Sequence, residues 1–211
     1  MRQTLAILVL SVLSLVGVDA LADPHTQLQA DWAKANYLLQ GDEKLNLFEK
    51  LLAEADAAKQ ANPKDARVFI WSGIINSSYA GAKGGLGALK FAKQAKRDLE
   101  AAMAIDESAL QGSAFTSLGT LYFKVPGWPI GFGDDKKAET MLKKALAINP
   151  TGIDSNYFYA DYLYAKGDYE AALRYAKLAE QAPARPDRPV ADEGRHGEIS
   201  ELLQKISAKL I

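Results

Sequence analysis

One pattern recurs four times along this chain and constrains the fold more than any other feature. Segments 55–63, 99–107 and 142–150 each place an Ala three positions after their first residue and end at a helix-stopping turn. A fourth segment, 176–183, does the same with one residue fewer. A small Ala lets two helices approach closely, and a Pro just past a helix prevents its continuation. The pattern therefore predicts four helices that each pack closely against a neighbour.

Each repeated segment follows a stretch with the marks of a partner helix. Apolar residues recur at helical spacing, and no run of period-two alternation stands out. In the third and fourth units a large residue, a small one and a second large one take equivalent positions: Leu118, Gly119 and Tyr122, then Tyr159, Ala160 and Leu163. The looser marks are Phe69, Gly73 and Ala95 in the second unit and Trp32 and Leu39 in the first. The chain is therefore predicted to be a series of helical hairpins.

The spacing of the helix stops predicts two enlarged loops. The stops fall at residues 63, 107, 150 and 183, so the first two intervals are longer than the third. The extra residues of units two and three lie between their two helices, in segments 80–87 and 125–135. With regular stacking, both loops emerge at the same end of neighbouring hairpins. The first is Gly-rich, but its Lys83 precedes the glycines and no Gly-Lys-Ser/Thr follows, so a flexible connector is favoured over a phosphate-binding loop.

These repeats resemble tetratricopeptide (TPR) repeats over roughly residues 28–183, and most closely in the run 167–173 and the helices around it. The resemblance implies an all-α fold, a TPR-like α-solenoid of about four helical hairpins with a C-terminal capping helix. The hairpins would occupy residues 23–183, and a Pro-rich connector would follow at 184–189. The capping helix, 190–211, carries one apolar stripe, as the end of a repeat array requires: Ile199, Leu202, Leu203, Ile206 and Leu210.

The run 122–135, which contains Val125-Pro126-Gly127-Trp128-Pro129-Ile130-Gly131-Phe132, is similar to a family of proteobacterial periplasmic TPR proteins. That family resembles the T-component of TRAP (tripartite ATP-independent periplasmic) transporters. The resemblance implies association with a periplasmic solute-binding protein and a ligand pocket or pore. Relatives can be lipoproteins and trimers, but this chain lacks the lipobox Cys, so anchoring does not carry over.

Residues 1–22 read as a cleavable signal peptide. Arg2 supplies a positive charge, Leu5 to Val18 is an apolar run of 14 residues, and Ala20-Leu21-Ala22 is an A-x-A cleavage site. Such a run is shorter than the roughly 20 residues that span a bilayer. The sequence therefore predicts cleavage after Ala22, a periplasmic protein and no stable membrane anchor.

Composition argues against several classes of function. Lys and Arg number 25 against 26 Asp and Glu, so no basic excess is present for nucleic acid. There is no Cys, and the two histidines, His25 and His196, have no second ligand at helical spacing, so no cofactor or metal site is predicted. Asp134 and Asp135 could bind Ca²⁺, but an N-cap and a first-turn acid explain both. No nucleophile-elbow motif or cluster of titratable residues indicates an enzyme.

A concave groove is the first candidate site. TPR helices turn one face toward such a groove, and the alignment places there Thr116, Thr120 and Phe123 of unit three and Tyr157, Asp161 and Tyr164 of unit four. Ile70, Ile74 and Ser77 take the same positions in unit two. Aromatic rings and hydroxyls suit a peptide or a small amphipathic ligand. The alternative is a groove filled by the chain's own C-terminal helix.

The loop that carries Trp128 and Phe132 is the second candidate site. Its two Pro and three Gly fix an irregular backbone, and Asp134 is predicted to cap the next helix. The two rings form either a lip that contacts a partner or a plug that packs over the hairpins.

The function predicted from these features is a periplasmic, non-catalytic TPR-type scaffold that binds a protein or peptide partner. The alternative is a TRAP-transporter-like accessory protein that binds a small hydrophobic ligand or a solute-binding protein. A small ligand would require an enclosed cavity, whereas a partner protein would fit an open groove.

Overall fold

The computed structural model describes residues 23–85 and 87–211, so the predicted signal peptide lies outside the described residues. Within these ranges all regular secondary structure is helical. The helices are α1 (Pro24–Ala33, continued by a π-helical turn, Lys34–Leu38), α2 (Gly41–Ala61), α3 (Ala66–Lys83), α4 (Ala88–Ile105), α5 (Ala109–Lys124), α6 (Asp135–Ile148), α7 (Ile153–Lys166), α8 (Tyr169–Glu180) and α9 (Pro189–Leu210). None of the described helices is long and apolar enough to cross a membrane.

Successive helices pack as hairpins, α1 with α2, α3 with α4, α5 with α6 and α7 with α8. The first helices of neighbouring hairpins, α1, α3, α5 and α7, also pack side by side and form an inner row. The last helix, α9, packs along α8 and α7. This arrangement confirms the predicted TPR-like helical repeat of four hairpins with a C-terminal helix.

Small residues allow the close packing within the hairpins. Three of the four repeated Ala positions, Ala102, Ala145 and Ala179, are fully buried. Gly73 of α3 and Gly119 of α5 occupy equivalent places against the next helix. A Cβ atom added to Gly119 would lie 2.7 Å from Cγ of Leu142 and 3.2 Å from the carbonyl oxygen of Ala138. The repeated pattern of small residues is thus a packing requirement.

Replacing Gly119 with Ala is expected to lower the free energy of unfolding by up to about 2 kcal/mol. Overpacking a helix contact costs about 1–3 kcal/mol, and the better helix propensity of Ala offsets about 1 kcal/mol of it. Gly197→Ala is the matched control, because a Cβ there meets no atom within 4 Å. The control is expected to gain about 0.5–1 kcal/mol. Urea denaturation of both variants checks the difference, and equal stabilisation of both would contradict the packing role.

Helix boundaries follow local signals. Asp134 accepts hydrogen bonds from the backbone N–H groups of Lys136 and Lys137, which confirms its prediction as an N-cap. Asp168 caps α8 in the same way through Ala171 N–H. Gly167 ends α7 in the left-handed region with φ of 82°. Pro189 begins α9, one residue earlier than predicted, at a position that suits Pro because its missing N–H would be unpaired there.

The predicted Gly-rich loop is shorter than expected. Residues 80–83 continue α3, which ends at Lys83, and α4 begins at Ala88. A single Gly at position 81 does not break the helix, which ends where Gly84 adopts φ of 62°. The extra residues of unit two therefore lengthen its helices rather than its loop.

Candidate binding cavity

The inner row of helices lines a partly open cavity of about 900 Å³. Helices α1, α3, α5 and α7 line it from one side. The other side is formed by residues 183–188 of the connector and by Arg195 and Glu198 of α9, which together are called the closing wall below. Ligand cavities in proteins typically measure about 300–1,000 Å³. The C-terminal helix therefore does not fill the groove but helps to wall it.

Four of the predicted site residues line this cavity: Thr116, Thr120, Tyr157 and Asp161. Ile74 and Ser77 of α3 line it as well, whereas Ile70 is fully buried in the core. The hydroxyl of Thr120 donates to the carbonyl of Thr116 at 2.8 Å. Asp161 pairs with Lys124 at 2.7 Å. The cavity surface at α5 and α7 is therefore rich in hydroxyl and charged groups.

Phe123 and Tyr164 do not line the cavity. Phe123 packs edge-on against Tyr162, with ring centroids 5.6 Å apart, on the flank of α5 that faces α7. Tyr164 contacts Tyr169, the first residue of α8, at 5.5 Å. Both residues lie near the ends of their helices, where a neighbouring ring is available for packing.

The two large rings of the 125–134 loop, Trp128 and Phe132, have different surroundings. Phe132 is half-buried and packs edge-on against Tyr122, with centroids 5.9 Å apart. The side chain of Trp128 is 90% exposed. The loop is tightly built, because Asp134 N–H donates to the Tyr122 carbonyl at 2.8 Å and Gly133 N–H to the Pro126 carbonyl at 3.0 Å. Phe132 thus packs inward, Trp128 faces outward, and neither lines the cavity.

An ion-pair network fixes the closing wall to α7. Asp154 accepts from Nη1 of Arg185 at 2.6 Å and from Nε of Arg195 at 2.8 Å. Arg185 also donates through Nε to Asp192 at 2.6 Å, and Arg195 pairs with Glu198. Bidentate and networked arginine pairs of this kind hold defined geometries. The network therefore ties the connector and α9 to the first turn of α7.

Aromatic contacts reinforce the same wall. The guanidinium of Arg195, which is only 6% exposed, lies 4.5 Å from the ring of Tyr157 and 4.4 Å from that of Phe158. Gly194 packs against the ring of Tyr37, so near that an added Cβ would lie 2.2 Å from Cδ1. The N-terminal π-turn and the C-terminal helix are therefore in direct contact.

Burial and neighbouring charges shift the pKa values of the acids in this network in opposite directions. Burial alone would raise the pKa of Asp154, but the guanidiniums of Arg195 and Arg185 outweigh it and hold that pKa well below its usual range. Burial raises the pKa of Glu198 despite the adjacent Arg195. Burial also raises the pKa of Tyr37 to about 12. Asp154 is therefore the anionic centre of the network at neutral pH.

The closing wall was not predicted from the sequence. Residues 184–189 were expected to be a connector, and the arginines there carry no motif. The sequence does place three arginines, Arg185, Arg188 and Arg195, within a short stretch that also includes acidic residues of the last helix. Helical spacing alone does not show that they contact Asp154, which lies 31 residues before the first of them.

The two histidines lie on different helices, α1 and α9. Within residues 23–85 and 87–211, no group of three or more His, Asp or Glu side chains is placed to hold a metal ion. His25 is paired with Asp23 at 2.5 Å, and His196 is exposed on α9.

The chain has similar proteins among solved structures. No protein-family model and no curated protein matches the chain. The structure titled "Crystal structure of MamA protein" is similar at 16% sequence identity and a TM-score of 0.44, over 88% of this chain and 91% of that one. The TPR-like helical repeat is assigned from the helix packing of this chain itself.

Proposed function

We propose that this chain is a non-catalytic scaffold that works in the periplasm and binds a segment of a partner protein in its cavity. The observation that supports this most is the 900 Å³ space between the inner helices and the closing wall. Repeat proteins use such concave surfaces to bind partners. The proposed periplasmic location is based on the signal-peptide pattern of residues 1–22.

The chemistry of the lining suits a peptide segment. Tyr157 and Phe158 offer half-buried apolar rings as anchors. Hydroxyls from α3 and α5 offer hydrogen bonds: Ser77, Ser78, Ser113, Thr116, Ser117 and Thr120. Aromatic anchors supply affinity, whereas a few polar groups fix orientation. The exposed Trp128 is proposed as a second contact, outside the cavity.

A TRAP-like transport accessory that binds a small ligand is the second candidate. The closing wall favours it, because a small ligand requires enclosure and the wall covers one side of the groove. The lining argues for the scaffold instead. A hydrophobic ligand would remove the hydroxyl and charged groups of α5 and α7 from water without offering them new hydrogen bonds, which is unfavourable.

Affinity purification of the full tagged chain from the periplasmic fraction of its own cells tests the two candidates. Released material is analysed for both proteins and small molecules by mass spectrometry. A stoichiometric protein that is displaced by a peptide from its own sequence would support the scaffold. A stoichiometric small apolar molecule, with no protein, would replace the scaffold by the transport accessory.

A further inference from the structure

Three arginines of the closing wall face the cavity, and two of them are neutralised. Arg185 pairs with Asp154 and Asp192, and Arg195 pairs with Asp154 and Glu198. The third, Arg188, takes part in no ion pair among the residues that the structure describes. Its Nε is buried and has no acceptor within the same residues.

A second unpaired donor lies beside this guanidinium. Arg188 sits over the ring of Trp71, with its Cζ atom 5.2 Å from the centroid. Trp71 is 1% exposed, and its Nε1 has no acceptor among the described residues. The neighbouring Trp32 differs, because its Nε1 donates to Ser78 Oγ at 2.8 Å. Arg188 and Trp71 both line the cavity.

This contact brings together a guanidinium that has no carboxylate partner and two buried donors that have no acceptor among the described residues. A guanidinium stays protonated in proteins, so burial cannot discharge it. The surrounding carboxylates of Asp154 and Asp192 are already engaged by Arg185 and Arg195. A buried donor without an acceptor is destabilising, and a bound anion would relieve that cost by accepting from it.

We propose that Arg188 and Trp71 form a subsite for a carboxylate group of whatever the cavity binds. For a peptide occupant, the inference rests on the proposed function. The planar guanidinium matches a carboxylate geometrically. The acids nearby, Asp154, Asp187 and Asp192, make a singly charged carboxylate more favourable than a doubly charged phosphate.

The test uses four probe sets and the full chain. Two libraries of pentapeptides built from Ala, Ser, Thr, Leu and Tyr differ only in a C-terminal acid or amide. A third amidated library carries one Glu at its centre. Phenylacetate, compared with phenylacetamide, represents a free small acid. Affinity selection with mass spectrometry measures retention of each probe.

Wild-type protein is expected to retain carboxylate probes about tenfold more strongly than their amide counterparts, which corresponds to one charge-assisted hydrogen bond. Arg188→Gln is expected to abolish this preference and Arg188→Lys to keep part of it. Trp71→Phe keeps an aromatic ring but loses the Nε1–H donor, so it should weaken the preference for carboxylates. Arg174→Gln, on the exposed face of α8, is the matched control and should leave it unchanged. Thermal melting checks that each variant is folded.

The outcomes separate the subsite from the proposed function. Peptides retained equally as acids and amides, with no effect of Arg188→Gln, would overturn the subsite and leave the scaffold intact. If phenylacetate is retained by wild type and lost in Arg188→Gln, while no peptide is retained, the subsite is supported and the scaffold is overturned. The terminal-acid and Glu libraries show which kind of peptide carboxylate binds. Failure of every carboxylate probe to exceed its amide would overturn the subsite.

Discussion

Replacing Asp154 with Asn is expected to lower the free energy of unfolding by about 3 kcal/mol. The carboxylate accepts hydrogen bonds from both Arg185 and Arg195, and Arg195 is only 6% exposed. Removing its charge leaves a buried guanidinium without its main partner. Because Asp154 is itself about a quarter exposed, the loss falls at the lower end of the range for buried pairs.

Urea denaturation at pH 7 measures this loss. Glu139→Gln is the matched control, because Glu139 pairs with Lys143 on the exposed face of α6 and such pairs contribute only about 0.3–0.5 kcal/mol. Equal, small effects of both substitutions would show that the network does not hold the closing wall in place.

The same network predicts a pH dependence. The folded pKa of Asp154 lies below its unfolded value, so its contribution is complete above about pH 4 and is lost as the pH falls through the folded pKa. Asp154→Asn should therefore lose less stability than wild type on acidification. Glu198 acts in the opposite sense, because its raised pKa makes the folded state bind a proton first as the pH falls. Glu198→Gln should therefore not cause the drop in the free energy of unfolding that is expected for Asp154→Asn.

Ser117→Trp is expected to weaken binding of the partner at least about tenfold, or about 1.4 kcal/mol. Ser117 is half-buried and lines the cavity from α5, so an indole there would occupy space that the partner needs. The change adds no charge and should leave the helical content unchanged.

Binding of the purified partner by isothermal titration measures the effect. Ser200→Trp on the exposed face of α9 is the matched control, since it adds the same ring outside the cavity. Undiminished binding by Ser117→Trp, or an equal loss from Ser200→Trp, would place the binding surface elsewhere on the molecule.

The hairpins were predictable because their determinants are local. Ala102, Ala145 and Ala179 recur at one position of the repeat. Pro63 and Pro150 each lie two residues after the end of a helix, α2 or α6. Helical periodicity likewise placed residues one turn apart on one face. Thr116 and Thr120 line the cavity together for that reason, as do Tyr157 and Asp161.

Side chains near helix ends were less predictable, because packing there depends on the next element. Phe123 and Tyr164 share the spacing of the cavity residues, yet each turns to a neighbouring ring, Tyr162 or Tyr169. The Trp128 loop shows the same limit. Its composition did not reveal that Phe132 packs inward while Trp128 faces water.

The closing wall could not be read from spacing, since its contacts join distant parts of the chain. Arg195 meets Asp154 across 41 residues, and Gly194 of α9 meets Tyr37 of the π-turn. Periodicity describes which face of a helix is apolar, but not where a last helix docks. The cavity therefore became visible only with the full fold.

Photo-crosslinking from inside the cavity tests the central claim most directly. A benzophenone side chain is placed at Thr120, which lines the cavity, and in a second protein at Thr140, which is exposed on α6. Irradiation in the periplasmic fraction is expected to join a segment of one partner protein to the Thr120 position and not to the Thr140 position. Crosslinks from Thr140 alone, or equally from both positions, would contradict binding in the cavity.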